Sequence, residues 1–173
     1  MNKEELKALA KTDINLASTN LNDSEINFLV ETLNEKDDKL RYNAFLLLQA
    51  SSRQVPYVYK YWDEFEKKLD NENSYQRSLG VMLIAENVRW DQGDKFSKTI
   101  NEYLSCSTDE KFITARQTIQ GLEIILKTTD KFNDTIKQRL VNLQLSHYKD
   151  NQQKLLSKDI SNVLKKINRY SIK

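Results

Sequence analysis

Arg41-Tyr-Asn-Ala-Phe-Leu-Leu47 sets the fold of this chain, because it returns as Arg77-Ser-Leu-Gly-Val-Met-Leu83 and again as Arg116-Gln-Thr-Ile-Gln-Gly-Leu122. The offsets are 36 and 39 residues, counted from 41 to 77 and from 77 to 116. Similarity at a near-constant spacing of roughly 20 to 50 residues marks a stacked repeat, in which no unit buries its apolar face alone. Each unit reads as two helices. In the first unit, Leu40, Ala44, Phe45, Leu47 and Leu48 mark the arginine helix. Val58, Trp62, Phe65 and Leu69 mark a return helix opening at Pro56, since proline suits a first helical turn, where its missing N–H leaves nothing unpaired.

The second unit carries Leu79, Val81, Leu83 and Ile84, then Phe96, Ile100, Tyr103 and Leu104. The third carries Ile113, Ile119, Leu122, Ile125 and Leu126, then Ile136, Leu140 and Leu143. Aligned on the arginines, the return helices close on Leu69, Leu104 and Leu143, which lie 28, 27 and 27 residues downstream. The expected organisation is one domain over 1-173. Residues 1-21 form a cap or frayed segment, 22-37 a flanking helix with Ile26, Leu29, Val30 and Leu33 at helical spacing, 38-72, 73-109 and 110-146 the repeat units, and 147-173 a C-terminal cap helix. Residues 12-21 read as a polar break. In the last segment Leu155, Leu156, Ile160, Val163, Leu164 and Ile167 form the apolar stripe.

Three Gly and one Pro in 173 residues disfavour a turn-dense β-fold and point to an all-α chain. One cysteine excludes an internal disulfide, the start of the chain is charged, and no apolar run approaches a membrane span. The expectation is a soluble cytoplasmic protein. The net charge of +2 conceals a gradient: residues 1-37 hold four Lys/Arg against eight Asp/Glu, net −4, and residues 147-173 hold seven against two, net +5. An evenly basic face, the mark of a nucleic-acid binder, is missing from this pattern.

Helix pairs of this length, with arginine entering the first helix and a small residue three positions on (Ala44, Gly80), resemble HEAT or armadillo-type repeats over residues 22-169. Asn73-Ser-Tyr-Gln-Arg-Ser-Leu-Gly80 and Asp109-Glu-Lys-Phe-Ile-Thr-Ala-Arg-Gln117 resemble in particular small HEAT-like proteins of Gram-positive bacteria. The resemblance implies a right-handed α-α superhelix of about three helix pairs with flanking caps, and a binding role; it does not imply a reaction. The third unit departs from the pattern by placing Ile119 where the small residue belongs.

Arg41, Arg77 and Arg116 read as joints that bond turn carbonyls or an acid of the adjacent repeat. Second helices of solenoids usually line the concave surface, and tyrosine is enriched where proteins meet. Tyr57 and Tyr61 at i, i+4, continued by Glu64 and Lys68, are therefore the expected partner-binding stripe. Trp62-Asp63 and Trp90-Asp91 permit a runner-up, a nucleic-acid-binding or DNA base-repair protein, since the HEAT-like alkylation-repair glycosylases use aromatic and acidic residues in this spirit. Core packing suits Trp62 better and capping suits Asp91 better. His147 stands alone, Cys106 and His147 lie 41 positions apart, and the three glycines form no phosphate loop. The expectation is a non-catalytic protein- or peptide-binding scaffold with no cofactor and no metal.

Overall fold

The chain is all-α. The computed structural model describes residues 1–170, and the described residues form ten α-helices and no strand. These are α1 (Lys3–Ala8), α2 (Ile14–Ser18), α3 (Asp23–Thr32), α4 (Asp38–Ser52), α5 (Trp62–Glu66), α6 (Ser74–Asn87), α7 (Phe96–Ser105), α8 (Phe112–Ile125), α9 (Asn133–Val141) and α10 (Asp150–Tyr170). None of the described helices is long and apolar enough to cross a membrane.

Polar caps set where the helices start. Asn2 with Glu5 and Asn22 with Glu25 form reciprocal capping boxes, satisfying two free backbone donors at each start. Asp37 accepts from the Leu40 amide at 3.0 Å, and Asn73 accepts from the Tyr75 amide at 2.9 Å. Asp91 caps α7 with both carboxylate oxygens, taking the amides of Lys95 (2.9 Å) and Phe96 (2.8 Å).

The arginine-bearing helices form one continuous row. Helix α6 packs between α4 and α8, and α10 packs on the far side of α8. Helices α1, α2 and α3 cover α4, α5 packs on α6, and α9 packs on α10. Hydrogen bonds between neighbours join residues about one unit apart. Asn87 donates to Ser52 across 35 positions, Ser78 and Thr114 share a bond across 36, and Trp62 Nε1 donates to Thr99 across 37. The sequence period is therefore visible as a period of contacts.

A string of aromatic rings runs through the second-helix layer. Tyr59, Trp62, Phe96 and Phe132 meet edge to face with centroids 5.7, 6.2 and 5.0 Å apart, and Tyr103 joins Phe96 at 5.6 Å. Two glycines permit close crossings. A Cβ on Gly80 would lie 2.9 Å from the Phe65 carbonyl oxygen, so α5 and α6 approach closely there. In the third unit Ile119 is buried, and the small residue is instead Gly121. A Cβ on Gly121 would collide with the hydroxyl of Tyr103, which donates to the Thr118 carbonyl at 3.1 Å.

Several expected details are corrected. The return helix of the first unit is not continuous: Pro56–Tyr61 is a 3-10 helix, and only Trp62–Glu66 is α-helical. The extended backbone of Val55 before Pro56 starts it tightly wound. The polar break at 12-21 contains a 3-10 turn and α2, and Ile14 and Leu21 are buried there. Leu143 lies beyond the end of α9 and is only partly buried. Ile113 and Leu155, placed on apolar stripes, are exposed.

Candidate functional site

The three repeat arginines lie at the starts of α4, α6 and α8, and each reaches a neighbouring element. Arg77 grips Asp109 with two bonds, Nε to Oδ2 at 2.5 Å and Nη2 to Oδ1 at 2.9 Å. Its Nη1 donates to the carbonyls of Asn71 (2.7 Å) and Glu72 (3.0 Å). Arg116 Nε donates to Asp159 of α10 at 2.8 Å. Arg41 pairs with Asp38, donates to the Glu35 carbonyl at 3.2 Å and stacks its guanidinium 4.1 Å from the ring centre of Tyr75 on α6. Arg41 and Arg77 thus fill carbonyls that a helix end or turn leaves open, while Arg116 meets an acid of the adjacent helix.

The tyrosine stripe does not assemble as the spacing implied. In a 3-10 helix of three residues per turn, positions i and i+4 no longer share a face. Tyr57 is 55% exposed, whereas Tyr61 is half-buried with its hydroxyl 3.3 Å from Asn27 Oδ1. Glu64 pairs with Lys67 at 2.8 Å. Lys68 is a clear correction: it is 6% exposed, and its Nζ bonds Asn34 (2.8 Å) and Gln76 (2.6 Å). Its acceptors are neutral, and burial pushes its pKa down to about 8. A side chain held inside between α5 and α6 is no part of a docking surface.

Both Trp-Asp pairs are engaged internally. Trp62 is fully buried with Nε1 on Thr99 at 3.1 Å, and Asp63 meets Lys95 at 2.6 Å. Trp90 Nε1 donates to the Ser52 carbonyl at 2.7 Å, and Asp91 caps α7 while accepting from the Tyr59 hydroxyl at 2.6 Å.

A lysine ladder links successive units and does not show in the apolar spacing. Lys60, Lys95 and Lys131, separated by 35 and 36 positions, pair with Asp23 (2.8 Å), Asp63 (2.6 Å) and Asp94 (2.6 Å) of the preceding unit. The period of these lysines was the available signal. Surface pairs of this kind contribute little individually, about 0–1 kcal/mol.

A second feature hidden from the sequence is a cleft on the row of arginine helices, with α4 and α8 on its sides and α6 between. At one end Tyr42, Phe45, Tyr75, Leu79, Met82 and Ile113 enclose about 120 Å³. At the other, Gln49, Ala85, Gln120, Gly121 and Ile124 enclose about 150 Å³. Met82 and Gln117 line both, and none of the lining residues is charged. The Oε1 atom of Gln117 is buried with no hydrogen-bond partner. An acceptor left unmade inside a protein costs about 1–3 kcal/mol unless something supplies the donor.

Compared with protein-family models, curated proteins and solved structures, the chain matches none. Among the described residues, no group of three or more His, Cys, Asp or Glu is placed to hold a metal ion. His147 is exposed and lies against the ring of Tyr148, with centroids 3.9 Å apart.

Cys106 is buried, its Sγ 3.7 Å from the Leu69 carbonyl oxygen. Burial, reinforced by nearby Asp109, pushes its thiol up to about 11, the opposite of what a nucleophilic thiolate needs. A thiol raised from 9 to about 11 on folding gives stability that is intact below pH 9 and lost as pH rises through 11. The stability advantage of wild type over Cys106→Ala should therefore shrink by about 2 kcal/mol across that window, read from denaturant midpoints. An advantage that stays constant through it would refute the burial assigned to Cys106. Lys68, lowered from 10.5 to about 8, acts in the opposite sense between those values in both proteins and cancels in the comparison.

Proposed function

We propose that the chain is a non-catalytic, HEAT-like scaffold, its helix pairs coiled as a right-handed α-α superhelix, that binds an extended peptide segment of a protein partner in the cytoplasm. What supports this is the cleft over α6. Its first end has the volume for one large apolar side chain among Tyr42, Phe45, Tyr75 and Ile113. Its second end is lined by Gln49, Gln117 and Gln120, and the carboxamides of Gln49 and Gln120 can accept main-chain N–H donors. A peptide backbone brings such donors at regular intervals, alternating with side chains that fill the apolar end.

The uncharged lining favours a peptide over the nucleic-acid alternative, because phosphate binding needs cations along the groove. The proposed surface is thus the arginine-helix face, in place of the stripe drawn from Tyr57 to Lys68.

Peptides selected from a displayed random library on the wild-type chain test this directly. Ile113 is 57% exposed, so Ile113→Glu should leave the fold intact, place a charge at the apolar end and weaken binding at least tenfold. Gln117→Leu should weaken it several-fold, and Tyr57→Ala should leave it unchanged. Selected peptides that bind Ile113→Glu as well as wild type, or that lose binding with Tyr57→Ala, would overturn the assignment.

A further inference from the structure

We infer that the cleft between α7 and α9 is a binding site for a carboxylate, built on Arg139. The cleft has a volume of about 400 Å³ and is lined by Asn101, Leu104, Thr135, Gln138, Arg139 and Asn142. It lies on a different set of helices from the cleft over α6. Arg41, Arg53, Arg77, Arg89 and Arg116 each meet a carboxylate within 4 Å. Arg139 meets none among the described residues. Among the described residues its guanidinium makes one hydrogen bond, from Nη2 to Thr108 Oγ1 at 3.4 Å, and its Nε is buried without a partner there.

Placement in the last turn of α9 accounts for a positive charge at this position, because the helix C-terminus is electronegative. It does not supply an acceptor for Nε. The Nη groups hold only the long bond to Thr108, and the Nη pair of a guanidinium matches the two oxygens of a carboxylate end-on. Selectivity follows from the rest of the lining. There is a single cation, so a monoanion suits the cleft better than a phosphate dianion. The amides of Asn101 and Gln138 and the hydroxyl of Thr135 can bond the polar remainder of the ligand. Two sources present that chemistry: the C-terminus of a polypeptide and a small polar carboxylic acid.

The Nε–H resonance of Arg139, assigned by its loss in Arg139→Lys, reports occupancy in ¹H–¹⁵N spectra. The probes are acetate, inorganic phosphate, and one tetrapeptide with a free or an amidated C-terminus, at constant ionic strength. Acetate and the free-acid tetrapeptide should shift the resonance saturably, with Kd on the order of 1 mM. The amidated peptide should not, and Arg139→Gln should abolish the accompanying shifts of the Asn101 and Gln138 side-chain amides. Tighter binding of the free-acid peptide than of acetate assigns the site to chain termini, and equal binding assigns it to small acids. A shift with phosphate but not acetate would overturn the carboxylate assignment. No saturable shift with any probe would overturn the site, whatever peptides do at the cleft over α6.

Discussion

Replacing Arg77 with Met is expected to lower the melting temperature by about 10 °C, the largest effect of any single change at the repeat joints. Asp109 is buried and its two oxygens face the Arg77 guanidinium, so the variant leaves a carboxylate inside with only the Lys111 amide, at 2.8 Å, to hold it. Removing one partner of a buried pair costs about 3–5 kcal/mol, and about 2–4 °C accompanies each kcal/mol in a domain of this size. The carbonyls of Asn71 and Glu72 lose their donor as well. Adding Asp109→Leu to the Arg77→Met variant should recover part of the loss, because the stranded charge is then gone. Arg41→Met should cost only about 1 kcal/mol, since the acid it meets, Asp38, is 89% exposed. Equal effects at Arg41 and Arg77 would mean that the joint does not act through its buried acid.

Trp62→Ala should destabilise the chain by about 3–5 kcal/mol, seen as a lower denaturant midpoint. Trp62 is fully buried, stands at the centre of the ring string between Tyr59 and Phe96, and bonds Thr99. Trp62→Phe keeps most of the packing and loses the indole N–H, so about 1–2 kcal/mol is expected. A tryptophan that served to stack on a nucleobase would behave differently, since its truncation would spare stability. An unchanged midpoint for Trp62→Ala would therefore revive the nucleic-acid alternative.

Helix content was legible in the sequence because it depends on local and periodic signals. Leucines at helical spacing act within a few residues, and the arginines recur at a near-constant offset along the chain. What was illegible depends on contacts between units. Lys68 continues a polar stripe on paper, yet it is buried because Gly80 lets α6 close over its stem, with Lys68 Cβ only 3.0 Å from where a Gly80 Cβ would sit. Pro56 signalled the start of the return segment but not its 3-10 winding, which separates Tyr57 from Tyr61. The cleft over α6 was not legible because its lining comes from three units: Tyr42, Ser78 and Gln117 each follow a repeat arginine, but only the packing of α4, α6 and α8 brings them together. Gln117 lies within the third arginine motif, yet only the structure shows that its oxygen lacks a partner.

Site-specific photo-crosslinking reports whether a partner's peptide lies in the cleft over α6. Benzoylphenylalanine would replace Tyr42, which lines the apolar end of the cleft, or Tyr57, which is exposed on the first-unit return segment. Irradiation with a library-selected peptide should give a covalent adduct through position 42 and none through position 57. An adduct through position 57 with none through position 42 would contradict the account.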